Sequence, residues 1–320
     1  MDTEKPLVSA VITTHGRRKY RILPGILSVL SQTFPPAELL IIDDNGEGSL
    51  IQRETELFAD GLKAYAKSKG TELRYLKNKK NMGAQYSRNL GIRESRGEYI
   101  AFLDDDDRWT KDKLRLQMKL FNDKNVGLVY SKGRELRLRG EEIISAKPYN
   151  MALCFNEKAN FKDLLYGDYI GSTSQAVIRR EVFEICGMFD EGQPARQDYE
   201  MWIRISRKYS CRGVPEYLFD HCIHEGEQLG KDRGKVTAGL CRIFEIYGDD
   251  MGPTAKLHIS MMTAKELFLM GKFGQMMKWG ISSAAFFIIA LLWDRKELFY
   301  RIIWHLKRKS KEREFVRRKK

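Results

Sequence analysis

The segment Tyr99-Ile-Ala-Phe-Leu-Asp-Asp-Asp-Asp107 is an apolar run followed directly by four aspartates. A short apolar run of this kind predicts a buried strand, with the aspartates at its carboxyl end. Four adjacent carboxylates repel one another in such a place unless a cation compensates them. Oxygen ligands suit Mg²⁺ or Mn²⁺, which commonly share coordination with substrate phosphates. A solvated acidic turn has the same composition, and we expect Asp107 to cap the next helix.

Outward from this strand, the first part of the chain alternates strand and helix patterns. Strands are predicted at 7–13, 39–42, 73–76, 99–103 and 127–131, and helices at 18–33, 51–67, 83–95 and 111–121. Strands separated by helices imply right-handed crossovers, and therefore an α/β fold with a mainly parallel, Rossmann-like sheet flanked by helices. Beyond residue 134 the pattern is less regular, with a strand at 175–178 and helices at 181–186 and 198–207.

Two more polar clusters follow predicted strands. Thr13-Thr-His-Gly-Arg17 comes after the first strand, and Asp43-Asp-Asn45 comes after the second. Because open parallel sheets bind ligands at the carboxyl ends of their strands, we expect both clusters to converge with Asp104 on one edge. Asp44 could accept a hydrogen bond from a base or a ribose, or it could form an Asx turn. The convergence predicts a ligand site.

Three other segments carry candidate chemistry. Asn81-Met-Gly83 begins a helix that bears Arg88, and helix N-termini favour phosphate; an ordinary helix cap with a surface arginine fits equally. Asp198 begins another helix, as a cap or as a general base for an acceptor hydroxyl. His221 is expected to be structural, whereas His224 could reach phosphates or a metal. The sequence has no G-x-G-x-x-G or P-loop motif, which argues against dehydrogenases and P-loop enzymes.

Charge and hydropathy single out the C-terminal region. The net charge is +13, and residues 307–320 contain nine Lys or Arg against two Glu. This local excess argues against a nucleic-acid surface and favours anionic lipid, although a solvated terminus fits the charge equally. The apolar run at 279–293 would form a helix of about 22 Å, shorter than a hydrocarbon core of about 30 Å. It predicts an interfacial or re-entrant segment, with a buried docked helix as the alternative.

The five cysteines form no C-x-x-C pair, which favours reduced thiols in a reducing compartment. The polar residues 1–6 do not resemble a secretory signal. We therefore expect a cytoplasmic protein held peripherally on the inner face of the plasma membrane through its C-terminal segment. The sequence predicts no particular oligomeric state.

Taken together, the motifs resemble the inverting glycosyltransferases of family 2, which have the GT-A fold and include enzymes of bacterial cell-surface polysaccharide synthesis. The matching segments are Val8-Ser-Ala-Val-Ile-Thr-Thr-His15, Ser28-Val-Leu-Ser-Gln-Thr-Phe34, Leu40-Ile-Ile-Asp-Asp-Asn45, Asn81-Met-Gly83, Ser87-Arg-Asn-Leu-Gly91, Gly97 to Trp109, Gly187-Met-Phe-Asp190 and Gln197-Asp-Tyr-Glu-Met-Trp202. They lie within residues 7–225. The resemblance implies a GT-A catalytic domain at 1–230 and a helical C-terminal extension at 231–320, which contains the apolar segment 279–293 and a basic tail at 306–320.

The resemblance also implies roles for individual residues. Asp198 would be the catalytic base, although Gln197 stands where relatives often have Glu. Asp104 and Asp106 would bind Mn²⁺ or Mg²⁺, and His224 is a further candidate ligand. The nucleotide-sugar would contact Thr13, His15, Arg17, Asp44, Asn81, Gly83, Arg88, Asp104 and Asp105. Thr13, His15 and Asp44 are the implied base contacts, and Arg88 is the implied diphosphate contact.

The expected function is transfer of a sugar, with inversion, from a nucleotide-diphospho-sugar to a hydroxyl of a glycan or lipid-linked acceptor. A UDP-sugar is the expected donor. Two alternatives remain: a catalytically inactive scaffold that binds sugar nucleotides, and a metal-dependent nucleotidyltransferase. The loop Thr13 to Arg18 lacks the glycine-rich basic pattern of the latter, and retention of Asp44, Asp104, Asp106 and Asp198 argues against the former.

Overall fold

A computed structural model describes residues 7–149, 156–224, 232–303 and 306. In chain order the elements are β1 (Val8–Thr14), α1 (Lys19–Leu30), β2 (Glu38–Asp43), α2 (Leu50–Ser68), β3 (Glu72–Lys77), α3 (Ala84–Glu94), β4 (Tyr99–Asp104), β5 (Arg108–Trp109), α4 (Lys113–Met118), β6 (Val126–Arg139), β7 (Glu142–Pro148), β8 (Lys158–Ala159), α5 (Phe161–Tyr166), β9 (Val177–Arg179), α6 (Arg180–Cys186), α7 (Gln197–Ser206), β10 (Ser210–His224), α8 (Arg233–Tyr247), α9 (Pro253–Leu269) and α10 (Phe273–Trp293).

The strands form one mixed sheet in the order β3-β2-β1-β4-β9-β6-β10-β5, with β7 beside β6 and β8 beside β10. The first four strands are parallel, and β9 runs antiparallel between β4 and β6. Apolar side chains of β1, β2 and β4 are buried on both faces because helices cover both sides of the sheet. The register places Thr13 beside Asp104 and Thr14 beside Asp43, so the polar clusters meet at one edge.

Each strand and helix predicted from the first two thirds of the chain is present, with shifted ends. Helix α1 ends at Leu30, before the predicted end at residue 33. Strand β6 extends to Arg139 because it pairs with β10 along most of its length. The expectation that Asp107 caps a helix is wrong: α4 begins at Lys113, directly after Asp112, and Asp107 contacts other groups.

The C-terminal helices pack in two different ways. Helix α8 and the first half of α9 contribute Ile243, Tyr247 and Ile259 to the same core as α5, α6 and α7. Helix α10 instead packs mainly on α9, and Ala290 is its one buried residue in the described structure. The helix is longer than the apolar run at 279–293 because it begins at Phe273.

At 21 residues α10 is about 31 Å long, so by length and composition it could cross a membrane. Its exposure does not fit the alternative of a helix buried against the rest of the protein. The basic residues 307–320 lie outside the described part of the chain.

Candidate active site

The carboxyl ends of β1, β2 and β4 border a cavity of about 380 Å³. Every residue predicted to contact a nucleotide-sugar lines this cavity, and so does Asp106. The lining is completed by Thr14, Ala84 and Ser87, so the full set is Thr13, Thr14, His15, Arg17, Asp44, Asn81, Gly83, Ala84, Ser87, Arg88, Asp104, Asp105 and Asp106. The structure thus brings together residues that lie far apart in the sequence.

Asp44 fixes the loop that leads into α3. Its Oδ1 accepts hydrogen bonds from Asn78 Nδ2 at 2.7 Å and from the Met82 N–H at 2.8 Å, and its Oδ2 accepts one from the Gly83 N–H at 2.8 Å. An ionised carboxylate has about four acceptor positions, so one remains for a ligand. Gly83 has φ of 91°, which glycine adopts without strain, and α3 begins at the next residue. The N-terminus of α3 therefore borders the cavity, where its dipole favours an anion.

Two arginines face the acidic run across the cavity. Arg17 Nη2 lies 2.6 Å from Asp106 Oδ2, and its Nε lies 3.6 Å from Asp105 Oδ1. Arg88 is almost fully buried, and its Nη2 lies 2.7 Å from Asp104 Oδ1. Its Nη1 has no hydrogen-bond partner among the described residues. A buried donor left unpaired is costly, so Arg88 is equipped to bind an anionic ligand in addition to Asp104.

The acidic run carries more negative charge than its neighbours compensate. Burial, followed by the charge of Asp106, raises the pKa of Asp105 to about 7. Burial, followed by the charge of Asp104, likewise raises the pKa of Asp106. Asp107 is fully enclosed, which raises its pKa to about 7 even though it lies 2.9 Å from His221 Nδ1. Such an accumulation of carboxylates is stabilised by a cation.

The residues present fit a divalent metal held by Asp104 and Asp106. Mg²⁺ commonly binds through one or two carboxylates together with substrate phosphates and water, so two protein ligands suffice. In the described ranges no group of three or more His, Cys, Asp or Glu side chains could hold a metal ion. His224 is at the end of β10 and does not line the cavity. The histidine that contacts the acidic run is His221, which was expected to be only structural.

Asp198 lies in the first turn of α7, outside the residues that line the cavity. Burial raises its pKa, although the Tyr199 N–H bonded to its Oδ1 and the charges of Arg196 and Arg88 oppose this effect. Arg196 has φ of 61°, the one left-handed residue other than glycine in the described structure. Such a conformation costs free energy and is found mainly at functional sites.

Sequence reasoning missed Asp168, which follows α5. Helix α5 and the loop after it are each tied to α7 by one hydrogen bond: Tyr199 Oη donates to the carbonyl of Leu164 in α5 at 2.6 Å, and Trp202 Nε1 donates to the Gly171 carbonyl in the loop at 2.8 Å. These bonds hold the loop beside the first turn of α7. Burial, followed by the charge of Asp198, raises the pKa of Asp168 to about 7. No motif or spacing connects the two aspartates in the sequence.

The fold and the cavity together define a GT-A protein with the features of a nucleotide-sugar site. A model of the family described as Glycosyl transferase family 2 matches residues 9–186, more than half of the chain. The chain belongs to this family.

Several known proteins are similar to the chain. The putative teichuronic acid biosynthesis glycosyltransferase TuaG of Bacillus subtilis is 28% identical over 229 residues, which cover 70% of this chain and 80% of TuaG. The glucosyltransferase WfgD of Escherichia coli is 26% identical over 199 residues, 62% of this chain and 69% of WfgD. An uncharacterized glycosyltransferase of Rickettsia felis is 29% identical over 237 residues, and the chain spans only 36% of that relative's length.

Among solved structures, residues 1–349 of S. aureus TarS in complex with UDP-GlcNAc resemble this chain with a TM-score of 0.57. The sequence identity is 18%, and the match covers 82% of this chain and 71% of that one. At this identity the likeness concerns the fold alone. It confirms the expected GT-A arrangement of a sheet flanked by helices.

Proposed function

We propose that the protein is an inverting glycosyltransferase that moves a sugar from a UDP-sugar to a hydroxyl of a glycan or lipid-linked acceptor in cell-surface polysaccharide synthesis. The observation that carries the proposal is the position of Arg88. Its guanidinium binds Asp104 inside the cavity, and its charge also acts on Asp198. The proposed base is therefore within electrostatic reach of an arginine that lines the cavity.

The known proteins support the choice of donor and acceptor. The full name of WfgD describes a UDP-Glc donor and an α-D-GlcNAc-diphosphoundecaprenol acceptor, and TarS was solved with UDP-GlcNAc. The name of TuaG places it in teichuronic acid biosynthesis. TuaG and WfgD are similar to this chain in sequence and TarS is similar in fold, which makes a UDP-sugar and a surface-polysaccharide acceptor the best-supported substrates.

The geometry supports a single displacement. Thr13, His15 and the remaining acceptor position of Asp44 would contact the base, while Arg88 and the N-terminus of α3 would hold the diphosphate. Asp198 takes the proton of the acceptor hydroxyl as the oxygen attacks the anomeric carbon. The bond from that carbon to the diphosphate breaks on the opposite face, which inverts the configuration. A raised pKa makes Asp198 a stronger base once it is ionised. Mn²⁺ or Mg²⁺ held by Asp104 and Asp106 would neutralise charge on the diphosphate.

The test replaces the proposed base. Asp198→Asn keeps the shape of the side chain and removes its basicity, so we expect UDP release from UDP-sugars with Mn²⁺ to fall about 10²- to 10⁴-fold. The affinity for UDP, measured by calorimetry, should stay unchanged. Asp60→Asn, an exposed change on α2, is the control.

Unchanged turnover in Asp198→Asn would refute the assigned base. A wild-type protein that binds UDP but turns over no UDP-sugar would favour the inactive scaffold. Release of diphosphate from a nucleoside triphosphate and a sugar phosphate would favour the nucleotidyltransferase.

We also propose that the protein is peripheral on the inner face of the plasma membrane. Exposed apolar side chains on α10, among them Ile281, Ile288 and Leu292, support this location, and so does the basic composition of residues 307–320. Sedimentation with phosphatidylglycerol vesicles should carry the protein down at low salt. Lack of sedimentation at low salt would contradict the electrostatic part of the proposal. Binding to phosphatidylcholine vesicles at high salt that equals the binding to phosphatidylglycerol vesicles at low salt would contradict it as well.

A further inference from the structure

A second cavity, of about 340 Å³, lies where α9, α10 and the helical residues 295–303 meet the end of α5. Its walls are mostly apolar and include Leu257, Met261, Phe287 and Ile302. We call this cavity the apolar groove. Its volume lies at the lower end of the roughly 300–1,000 Å³ that is usual for ligand pockets.

Among the described residues that line the apolar groove, the one charged side chain is already bound. Arg301 donates to Asp163 Oδ1 at 3.0 Å, to Tyr169 Oη at 2.6 Å and to Glu297, and its guanidinium lies 4.4 Å from the centre of the Tyr166 ring. These contacts satisfy the cation inside the protein. The groove therefore offers a ligand mainly hydrocarbon contact, and its chemistry fits an alkyl or isoprenoid chain better than a phosphate.

The surface around the groove is also apolar. Met261, Phe299 and Ile303 are all about half exposed, and α10 leaves most of its apolar side chains uncovered. Exposed apolar side chains on neighbouring helices are typical of an interaction site. The sequence just after Leu306, a residue that lines the groove, is strongly basic. Positive charge beside an apolar face complements an anionic lipid surface, so the groove would open towards lipid.

One short stretch of chain links the groove to the proposed base. Tyr166 forms a wall of the groove, and Asp168, two residues later, lies in the loop that Trp202 of α7 binds at the Gly171 carbonyl. Two residues of extended chain span at most about 7 Å. Tyr169, the next residue, binds Arg301 at the groove. One wall of the groove and the loop that α7 holds through Gly171 are therefore joined by a few consecutive residues of the chain.

We propose that the apolar groove holds the hydrocarbon chain of the lipid-linked acceptor and so presents the acceptor hydroxyl to Asp198. The inference rests on the lipid-linked acceptor of the proposed function and extends it to a binding site. Each buried methylene strengthens binding about fourfold, so the groove would distinguish a chain-bearing acceptor from its polar head alone by more than about 100-fold.

The test uses a benzophenone-tagged farnesyl diphosphate as a photoreactive probe on the full chain in detergent micelles. Mass spectrometry of the digested protein should find the label on the walls of the groove, in peptides that contain Met261 or Ile302. Excess farnesyl diphosphate should compete with the label, whereas inorganic pyrophosphate should not. Competition by phosphatidylglycerol as strong as that by farnesyl diphosphate would show a general lipid site and overturn the acceptor assignment.

A matched pair of variants separates the groove from the surrounding apolar surface. Met261 and Phe268 both lie on α9 and both are 57% exposed, but only Met261 lines the groove. Met261→Asp should reduce labelling about tenfold because it places a charge against the farnesyl chain of the probe. Phe268→Asp should leave labelling unchanged. An equal loss of labelling in both variants, or label found only on the outer face of α10, would refute the assignment of the groove as the binding site.

The labelling uses no sugar donor, so its result is independent of whether Asp198 proves to be the base. A groove covered by a second copy of the chain would instead give a dimer that Met261→Asp dissociates, with no dependence of binding on the farnesyl chain. That result would also overturn the proposal.

Discussion

Replacing Asp168 with asparagine tests the electrostatics of the aspartate pair beside α7. The ordinary pKa of this carboxyl is 3.8, and in the folded protein burial and the charge of Asp198 raise it to about 7. The folded state therefore holds the proton of Asp168 more tightly than the unfolded chain does. The resulting stabilisation is complete below pH 3.8 and is lost as the pH rises through about 7. Asparagine keeps the shape of the protonated form at every pH.

The size of the effect follows from the same two pKa values. A difference of about three pH units corresponds to about 4 kcal/mol of folding free energy, at about 1.4 kcal/mol per unit. Asp168→Asn should match the wild type near pH 4. It should become more stable than the wild type by up to about 4 kcal/mol at pH 8.

Urea unfolding at pH 4, 6 and 8, followed by tryptophan fluorescence, measures the predicted trend. Asp60→Asn on the exposed face of α2 serves as the control and should show no such dependence. A stability difference between Asp168→Asn and wild type that is the same at all three pH values would refute the coupling between the two aspartates.

Two other substitutions test buried features away from the aspartate pair. Lys113 is fully buried, its Nζ has no hydrogen-bond partner among the described residues, and burial lowers its pKa well below the ordinary value. Lys113→Met should therefore raise the free energy of unfolding by about 1–3 kcal/mol at pH 7, and this gain should shrink towards pH 10. The exposed control Lys69→Met should change the free energy of unfolding little. A methyl group at Gly239 would lie 2.3 Å from the carbonyl oxygen of Ala195, so Gly239→Ala should displace the loop before the proposed base and lower UDP release about tenfold. Gly61→Ala, with open space around it, should leave UDP release unchanged, and equal turnover in both glycine variants would contradict the close approach.

Local sequence patterns were sufficient to predict the first strands and the polar residues that follow them. Strands β1 and β4 are continuous apolar runs, and the polar residues at their ends follow directly in the chain. Once the strands are parallel, the pairing of Thr13 with Asp104 follows from the register. The convergence of the cavity residues was therefore predictable before any side-chain contact was known.

Contacts between distant segments carried no such local signal. The segment around Asp168 is bound to α7 through the backbone carbonyls of Leu164 and Gly171, which any residue would provide. The pairing of His221 with Asp107 depends on β10 lying beside β5. The start of α10 was also missed, since Gly274, Gln275 and Lys278 interrupt the apolar pattern while the helix continues through them. Tertiary packing decided each of these features.

The packing of α8 has a practical consequence for attempts to obtain a smaller soluble protein. Its side chains Ile243 and Tyr247 belong to the same core as Trp202, and Tyr247 Oη donates to the carboxylate of Glu200 on α7 at 2.7 Å. A protein shortened at residue 230 would expose this core and remove the Tyr247 hydrogen bond from a carboxylate that Arg204 also binds. Shortening after α9, at about residue 271, removes the exposed apolar helix and keeps the packing of α8 against α7, at the loss of the Arg301 bonds to Asp163 and Tyr169.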